Sequence, residues 1–385
     1  MENYGGTLHS KLPGTGPSIF AVMSQLANEN NAINLAQGFP DFPIANHLIT
    51  LVNKYMKKGY NQYAPMPGVR VLRSAIADKV KKMYGADYDP DHEITITAGA
   101  TQAIFAVLST MIRPDDEVIV FEPAYDSYAP GVKINGGLVK YAALNPSDFS
   151  INWDSLPTLF SNRTRMIILN SPHNPSGSVL KQSDLQRLEK LIHGRDIMIL
   201  SDEVYEHLIF DGLTHQSICL YPELAKNSFV IGSFGKTFHA TGWKTGFVLA
   251  PANLTSEFRK THQFMVFAAN TPIQHAFAEY LQNENHYNNL AQFFQVKRDM
   301  FLQLIAGSGF EPLPCHGTYF QVLCYSQISD EKEYDFAVRL TKDYKIASVP
   351  LSAFYNKNNE NQHLRFCFAK TERTLKQAAK ILRSI

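Results

Sequence analysis

Short apolar runs alternate with helix-type patterns through the middle of the chain. The segment Ala100–Ile112 repeats its apolar residues at helical spacing, with Ile104 and Leu108 on one face, and Gln182–Ile192 is a second helix of this kind. The apolar runs that predict strands are Glu93–Ala98, Glu117–Phe121, Leu138–Leu144, Arg165–Asn170, Asp196–Ser201, Ser228–Ile231 and Gly246–Leu249. Continuous apolar strands alternating with helices indicate an α/β fold, in which a mostly parallel sheet is sandwiched by helices.

The last third of the chain has a different pattern. A long helical stretch begins near Ala252 and continues past Arg298, with an interruption around 271–272 where a Thr-Pro pair stands. The segments after it predict a smaller α+β unit with two strands and a closing helix, at Thr318–Cys324, His363–Phe368 and Thr374–Leu382.

The length of 385 residues favours two domains over a single core. We place a large domain at residues 46–285, where the strand and helix patterns alternate. Residues 1–45 and 286–385 are interpreted as an N-terminal arm and a small domain that pack together.

Composition and charge narrow the classes of partner. The 36 basic and 35 acidic residues give a net charge of +1, so no nucleic-acid or membrane partner is expected. The segment Met1–Phe20 lacks the pattern of a signal peptide, and no apolar run is long enough to cross a bilayer. The cysteines have neither C-x-x-C spacing nor a disulfide framework, which is typical of a cytoplasmic protein: Cys219, Cys315, Cys324 and Cys367.

Polar segments follow several of the predicted strands. In open α/β sheets, ligands bind beyond the carboxyl ends of the strands, which makes these segments candidates for a site. They are Gly99–Gln102, Asn170–Gly177, Asp202–Tyr205, Ser233–Thr237 and Gly242–Gly246. The first opens a helix and suits a phosphate, although such a turn is more often a tight connection. The carboxylate of Asp202 is either a helix N-cap or a buried anion.

Lys236 stands among hydroxyls and glycines, opposite the strand-end Asp202. Most lysines are solvated surface charges, and that interpretation stays open on this residue alone. Schiff-base catalysis requires a lysine whose amine is partly desolvated or lies near other cations, so that a neutral nucleophilic fraction exists.

Six motifs along the chain resemble those of one family. They are TAGATQA, SPHNPSG, SDEVYEH, SFGKT, GWKTG and LRFCFAK, and they occur in the order and spacing of the fold-type I aminotransferases of class I and II. The segments AINLAQGFPDFP and NQYAPMPG are similar to the branch that holds bacterial methionine aminotransferase and the kynurenine/glutamine aminotransferases. The resemblance covers the whole chain and implies the fold of the transferases that depend on pyridoxal 5′-phosphate.

The resemblance implies a role for each residue around the cofactor ring. Lys236 matches the catalytic lysine that binds the cofactor covalently and later moves the substrate's proton. Asp202 matches the aspartate beside the pyridine nitrogen, which its anion keeps protonated. Asn174 and Tyr205 match the groups that hydrogen-bond the phenolic oxygen. Tyr125 matches the aromatic residue stacked on the ring, although an ordinary tyrosine of the pocket wall is the alternative.

The phosphate group is implied to lie at the first of the candidate turns. The N–H groups of Ala100 and Thr101 match its backbone donors, and Gln102, Ser233 and Lys244 match its side-chain contacts. Lys244 departs from the commonest pattern, which has arginine there, so the charge is kept and the bidentate fork is lost.

Arg365 matches the arginine that binds the substrate's α-carboxylate as a fork-to-fork pair. A surface strand arginine in an ion pair is the alternative, but the apolar neighbours in LRFCF favour an inward position. The N–H of Gly38 matches a second contact to the same carboxylate, and Asn174 is a third candidate. The residues that line the side-chain pocket by resemblance are Phe20, Phe39, Tyr63, Tyr125 and Phe267.

Two of these residues imply a homodimer with shared active sites. Tyr63 resembles a tyrosine that reaches the phosphate across the dimer interface. Phe267 matches an aromatic residue lent to the neighbouring subunit's pocket, with a plain core role as the alternative.

The implied reaction is reversible, ping-pong transfer of an α-amino group to a 2-oxo acid, from methionine, aromatic amino acids, kynurenine or glutamine. A β-lyase acting on cysteine S-conjugates would use the same Lys236 and is the second interpretation. A non-catalytic ligand-sensing domain is the third, disfavoured because no DNA-binding extension is present.

Overall fold

The fold combines α-helices with β-sheets. The computed structural model describes Met1, residues 3–357 and residues 359–385. The α-helices there are α1 Ile19–Glu29, α2 Asn46–Lys57, α3 Arg70–Tyr84, α4 Ala100–Met111, α5 Tyr128–Ile134, α6 Gln182–Ile192, α7 Pro222–Ala225, α8 Phe234–Thr237, α9 Ala252–Met265, α10 Thr271–Tyr280, α11 Asn285–Asn288, α12 Leu290–Ile305, α13 Glu333–Lys342 and α14 Glu372–Leu382. In the described ranges, none of the helices is both long enough and apolar enough to pass through a lipid bilayer.

Seven strands form the larger sheet, in the order β2-β8-β7-β6-β5-β3-β4. All neighbours pair in parallel except β8, which is antiparallel to β2 and to β7. The strands are β2 Ile94–Thr97, β3 Glu117–Glu122, β4 Leu138–Ala143, β5 Thr164–Asn170, β6 Met198–Asp202, β7 Ser228–Ser233 and β8 Gly246–Leu249. Since β2, β6, β7 and β8 are buried along their whole length, helices cover both faces, which confirms the predicted mostly parallel sheet.

The interruption of the long helical stretch lies slightly earlier than the sequence predicts. The helix α9 ends at Met265, and α10 already begins at Thr271, because proline is tolerated in the first turn of a helix. The side chain of Asn270 caps α10 by accepting from the backbone N–H of Ile273. Within the gap, Phe267 has a left-handed backbone with φ of +66°.

A smaller antiparallel sheet of order β12-β13-β10-β9 lies in the last third of the chain. Strand β1 pairs in parallel with β11, which joins the N-terminal segment to this unit. The strands concerned are β1 Ile33–Asn34, β9 Glu311–Pro312, β10 Phe320–Cys324, β11 Ile346–Ala347, β12 Val349–Pro350 and β13 His363–Cys367. This pairing supports the grouping of residues 1–45 with residues 286–385, whose limits stay a prediction.

An aromatic cluster fixes the turn between β7 and α8. The ring of Phe234 stacks on that of Phe277 with centroids 4.7 Å apart, and both are fully buried. Phe238 stacks on Phe277 from the other end of α8, at 5.6 Å. Because α8 has only four residues, its position depends on this packing, and the packing therefore holds Lys236 at the sheet edge.

Candidate active site

One edge of the large sheet gathers the polar strand ends. The sheet register pairs Asn170 with Asp202, and Gly246 with both Ser233 and Thr97. A cavity opens at this edge. Within the described ranges, nine of the candidate residues line it: Ala100, Thr101, Tyr125, Asn174, Asp202, Tyr205, Ser233, Lys236 and Lys244.

The turn before α4 is shaped to receive an anion. Gly99 has φ of +83° and, as the N-cap, offers no side chain to the helix that starts at Ala100, so the first N–H groups of this helix point to the cavity without a cap from that position. A Cβ atom added to Gly99 would lie 3.3 Å from Nζ of Lys244, which shows that this amine lies directly beside the turn. A Cβ on Gly246 would lie 3.0 Å from the nitrogen of Ala100. Helix dipole and ammonium group together favour a phosphate here.

Lys236 lies on α8, directly after the end of β7, and is partly buried. Its Nζ donates to the hydroxyl of Tyr319 at 3.0 Å and to the carbonyl of Gly38 at 3.4 Å. Burial lowers the pKa of Lys236 to about 8, and the positive charges of Arg365 and Lys244 act in the same direction. At that pKa, about a tenth of the amine is neutral at pH 7, which is the property a nucleophilic lysine needs.

Asp202 is a buried anion rather than a helix N-cap, because no helix begins after β6. Its Oδ2 accepts a hydrogen bond from the hydroxyl of Tyr128 at 2.6 Å, and its Oδ1 accepts from the N–H of Val204 at 3.3 Å. Burial raises the pKa of Asp202 to about 6, although both hydrogen bonds oppose this shift. The carboxylate is therefore mostly ionised at neutral pH and faces a cavity that suits a cation.

The raised pKa of Asp202 gives an expected pH dependence of stability. Between about pH 4 and pH 6 the folded ligand-free protein holds a proton on Asp202 that the unfolded chain has released, so the unfolding free energy falls as pH rises through this range. Asp202→Asn cannot ionise and should escape that loss. Urea unfolding of the wild type and Asp202→Asn from pH 4 to 7 measures the difference between their unfolding free energies. A difference that does not grow between pH 4 and pH 6 contradicts the raised pKa of Asp202.

Arg365 is only 1% exposed, yet none of the carboxylates that the structure describes is bound to it. Its Nη1 donates to Oδ1 of Asn174 at 2.7 Å, and its Nη2 donates to the carbonyl of Ala36 at 3.0 Å. Nε has no hydrogen-bond partner among the described residues. A buried cation without an anionic partner is costly, so the arrangement suits a ligand that brings a carboxylate.

Aromatic rings enclose the guanidinium of Arg365. The ring centroid of Phe320 lies 3.8 Å from its Cζ, and those of Phe20 and Phe354 lie 5.0 and 5.1 Å away. The stacking fixes the plane of the fork, and burial lowers the pKa of Arg365 to about 10, which leaves it charged at neutral pH. The surface alternative for Arg365 is therefore wrong.

Gly38 and Phe39 border the surroundings of the Arg365 guanidinium. A Cβ on Gly38 would lie 2.7 Å from Cζ of Phe320, so the ring beside Arg365 needs glycine at this position. The ring of Phe39 is 44% exposed, and Nζ of Lys370 binds its carbonyl at 2.9 Å. The N-terminal segment thus borders the guanidinium, which it contacts through the carbonyl of Ala36.

Three candidate side chains, Gln102, Tyr63 and Phe267, make their contacts outside the cavity, and Phe20 and Arg365 are not among its lining residues either. The amide of Gln102 accepts from the N–H of Ala98 and contacts Nδ1 of His262, each at 3.2 Å. Tyr63 and Phe267 are 82% and 56% exposed, and their rings meet edge to face at 4.9 Å on the surface. A core role for Phe267 is therefore wrong, and the roles assigned to these three residues stay predictions.

Functional groups absent from the sequence prediction are Tyr128 and Tyr319. Tyr128 stands three residues after the candidate Tyr125 and begins α5, so its nearness to Tyr125 in the sequence was a signal that could have found it. Tyr319 lies 83 residues from Lys236 in a segment without a chemical motif, so only the tertiary structure reveals the contact. Over the described ranges, no group of His, Cys, Asp and Glu is arranged to hold a metal ion.

Comparison with known proteins gives matches along the whole chain. The family model described as aminotransferase class I and II matches residues 30–382. A methionine aminotransferase of Escherichia coli is 45% identical over 377 residues, which cover 98% of each chain. A kynurenine–oxoglutarate transaminase of Dictyostelium discoideum is 33% identical over 403 residues, covering 94% of this chain and 93% of the relative. A crystal structure from Escherichia coli, identified with a methionine aminotransferase function, matches with a TM-score of 0.96 at 45% identity, covering 98% of this chain and all of that one.

Proposed function

The chain belongs to the class I and II aminotransferases, and from this premise we propose that it transfers the α-amino group of methionine, aromatic amino acids, kynurenine or glutamine to a 2-oxo acid. The observation that carries the proposal is the buried guanidinium of Arg365, which has no carboxylate partner between residues 3 and 357 or between 359 and 385 and shares one site with the amine of Lys236. The guanidinium of Arg365 binds the α-carboxylate of the substrate, and the amine of Lys236 reacts beside it.

The residues present fit pyridoxal 5′-phosphate. The N–H groups of Ala100 and Thr101, together with Lys244 and Ser233, supply the donors that its phosphate requires. The buried carboxylate of Asp202 suits a protonated pyridine nitrogen, because its hydrogen bonds within the described ranges come from the Tyr128 hydroxyl and the Val204 N–H and not from a cation.

Other lining residues complete the fit around the ring. Asn174 and Tyr205 offer hydrogen-bonding groups for the phenolic oxygen, and Tyr125 offers an aromatic face. When bound, this cofactor supplies an electron sink for the bond electrons of the substrate's α-carbon.

Three side chains of this protein have separate roles in the proposed reaction. The Nζ atom of Lys236 takes up the proton of the substrate's α-carbon and returns it, since its pKa of about 8 permits both states near neutral pH. Asp202 holds the proton on the pyridine nitrogen. Arg365 orients the substrate through its carboxylate, while its bond to Asn174 keeps that amide in place.

The surroundings of the guanidinium favour an uncharged substrate side chain. Among the described residues, two other arginines are buried, and both are occupied: Arg73 binds Asp91, and Arg298 binds Asp211 and Asp299. Phe20 and Phe320 enclose the Arg365 fork. A second substrate carboxylate would therefore lie near aromatic rings without a cationic partner.

A screen of amino donors against several 2-oxo acids tests the proposed substrates. We expect kcat/KM for methionine or phenylalanine to exceed that for aspartate by about 10²-fold or more, because an unpaired carboxylate in an apolar pocket is strongly disfavoured. Strong catalysis with aspartate and none with methionine or phenylalanine would refute this substrate class.

The comparisons favour the aminotransferase over the β-lyase and over a non-catalytic ligand-sensing domain. A lyase forms pyruvate and ammonia from a cysteine S-conjugate without any 2-oxo acid. Assaying these products with and without added 2-oxo acid separates the two activities, and we expect amino transfer to dominate.

A homodimer is supported by an apolar surface patch that includes Tyr63 and Phe267. Phe264, at 87% exposed, and Met265 stand three and two residues before Phe267 in the chain, and clustered exposed apolar side chains are typical of a covered interface. Sedimentation equilibrium with the full chain tests this: a dimer is expected, and a monomer at micromolar concentration contradicts it.

The free cysteines support a cytoplasmic location, which cell fractionation tests.

A further inference from the structure

Tyr319 connects Lys236 to the N-terminal segment. Its side chain is 1% exposed, and its ring packs edge to face on that of Tyr205 with centroids 5.1 Å apart. Its hydroxyl lies 2.6 Å from the carbonyl oxygen of Gly38 and 3.0 Å from Nζ of Lys236. Three separate chain segments therefore meet at this one oxygen atom.

The chemistry of these groups fixes the direction of both hydrogen bonds. A carbonyl oxygen only accepts, so the single hydrogen of the Tyr319 hydroxyl is donated to Gly38. The hydroxyl oxygen is then an acceptor for an N–H of Lys236. Since the amine donates to Tyr319, its own lone pair is left free for a proton from elsewhere.

We propose that Tyr319 is a positioning residue of transamination, whose hydroxyl holds the Lys236 amine by one N–H with its lone pair free to receive the substrate's α-proton. In that step the proton passes from the α-carbon to Nζ of Lys236, and the C–H bond electrons remain with the α-carbon. Tyr319 keeps its own proton throughout. The inference rests on the proposed function, because it concerns the same reaction.

The N-terminal segment also provides a backbone acceptor for Arg365, the arginine proposed to bind the substrate. The carbonyl of Ala36 accepts from Arg365, and the carbonyl of Gly38, two residues later, accepts from both Tyr319 and Lys236. The carboxylate-binding fork and the proton-moving amine are thereby positioned against one stretch of backbone. This gives Tyr319 an effect on the orientation of the amine relative to the bound substrate.

Tyr319→Phe removes the hydroxyl and keeps the ring packing. Tyr325→Phe is a matched control. Tyr325 is also fully buried and directly follows β10, the strand that Tyr319 directly precedes. Its hydroxyl donates to the carbonyl of Glu331 at 2.7 Å, away from the site. With the cofactor-loaded proteins, we expect kcat to fall about tenfold in Tyr319→Phe, with KM for the amino donor within about twofold. The isotope effect with α-deuterated methionine should rise, and the control should match the wild type.

A second readout needs neither cofactor nor turnover. Cyanate carbamylates the neutral form of an amine, so the pH dependence of adduct formation on Lys236, followed by peptide mass spectrometry, reports its titration in the cofactor-free protein. Loss of the acceptor oxygen should shift the midpoint downward by about one pH unit in Tyr319→Phe, because the hydrogen bond favours the charged amine. Tyr325→Phe should titrate like the wild type.

Incorporation of 3-fluorotyrosine at position 319 keeps the side-chain shape and weakens its oxygen as an acceptor. A smaller shift in the same direction is expected, and this protein replaces Tyr319→Phe if that variant does not fold. An unchanged midpoint together with an unchanged isotope effect overturns the inference. A wild type without transaminase activity would refute the proposed function, whereas the cyanate titration would still decide whether Tyr319 holds the amine.

Discussion

Lys236→Ala is expected to lower turnover by about 10⁴-fold or more, because in the proposed function one amine both links the cofactor to the protein and moves the α-proton. The lost group lies at the sheet edge with its pKa lowered to about 8, and alanine offers no replacement for it. The steady-state rate with methionine and a 2-oxo acid measures the effect. The visible absorption change on adding pyridoxal 5′-phosphate should also be lost.

Lys260→Ala is the matched control for this substitution. Lys260 is exposed on α9, where its amine pairs with Glu257 at 2.6 Å, far from the chemistry. Its removal should leave the rate unchanged, since exposed ion pairs contribute little. Full activity in Lys236→Ala would overturn the assignment of the catalytic lysine.

Arg365→Leu is expected to raise KM for the amino donor by about 10²- to 10³-fold. The substrate carboxylate would then enter a buried site that offers the Asn174 amide without the guanidinium, and loss of one partner of a buried charge pair costs about 2–5 kcal/mol. Arg365→Lys keeps the charge and loses the planar fork, so its KM should lie between those of the wild type and Arg365→Leu. Initial rates over a wide range of methionine concentrations measure both variants.

The control here is Arg339→Leu, which removes an arginine that pairs with Glu331 on the small unit. Its KM should stay within about twofold of the wild type. A KM for Arg365→Leu that is equally unchanged would show that the α-carboxylate binds elsewhere.

The strands and turns that position the site residues could be predicted from the sequence. Apolar strand runs followed by polar turns were correct for β5, β6 and β7, and the sheet register then brings Asn170, Asp202 and Ser233 to one edge. Such information is local, because a buried strand and the turn after it can be read within about ten residues. The family motifs added the chemistry, since they assign a role to each strand end.

Contacts between distant segments could not be predicted in this way. The bond from Tyr319 to Lys236 and the fork of Arg365 on Asn174 each join segments that are more than eighty residues apart. No periodic pattern marks them. For Gln102 the turn was identified correctly, yet the side chain forms its contacts with Ala98 and His262, which compete with any ligand for its amide.

The central claim is that Lys236 is the lysine that binds pyridoxal 5′-phosphate, and borohydride tests it most directly. Reduction makes permanent a carbon–nitrogen link between a lysine amine and the aldehyde of the cofactor, and peptide mass spectrometry then locates it. We expect the adduct on Lys236, in the segment SFGKT, and on no other lysine. An adduct on the neighbouring Lys244 instead, or a loaded protein without any adduct, would contradict the assignment.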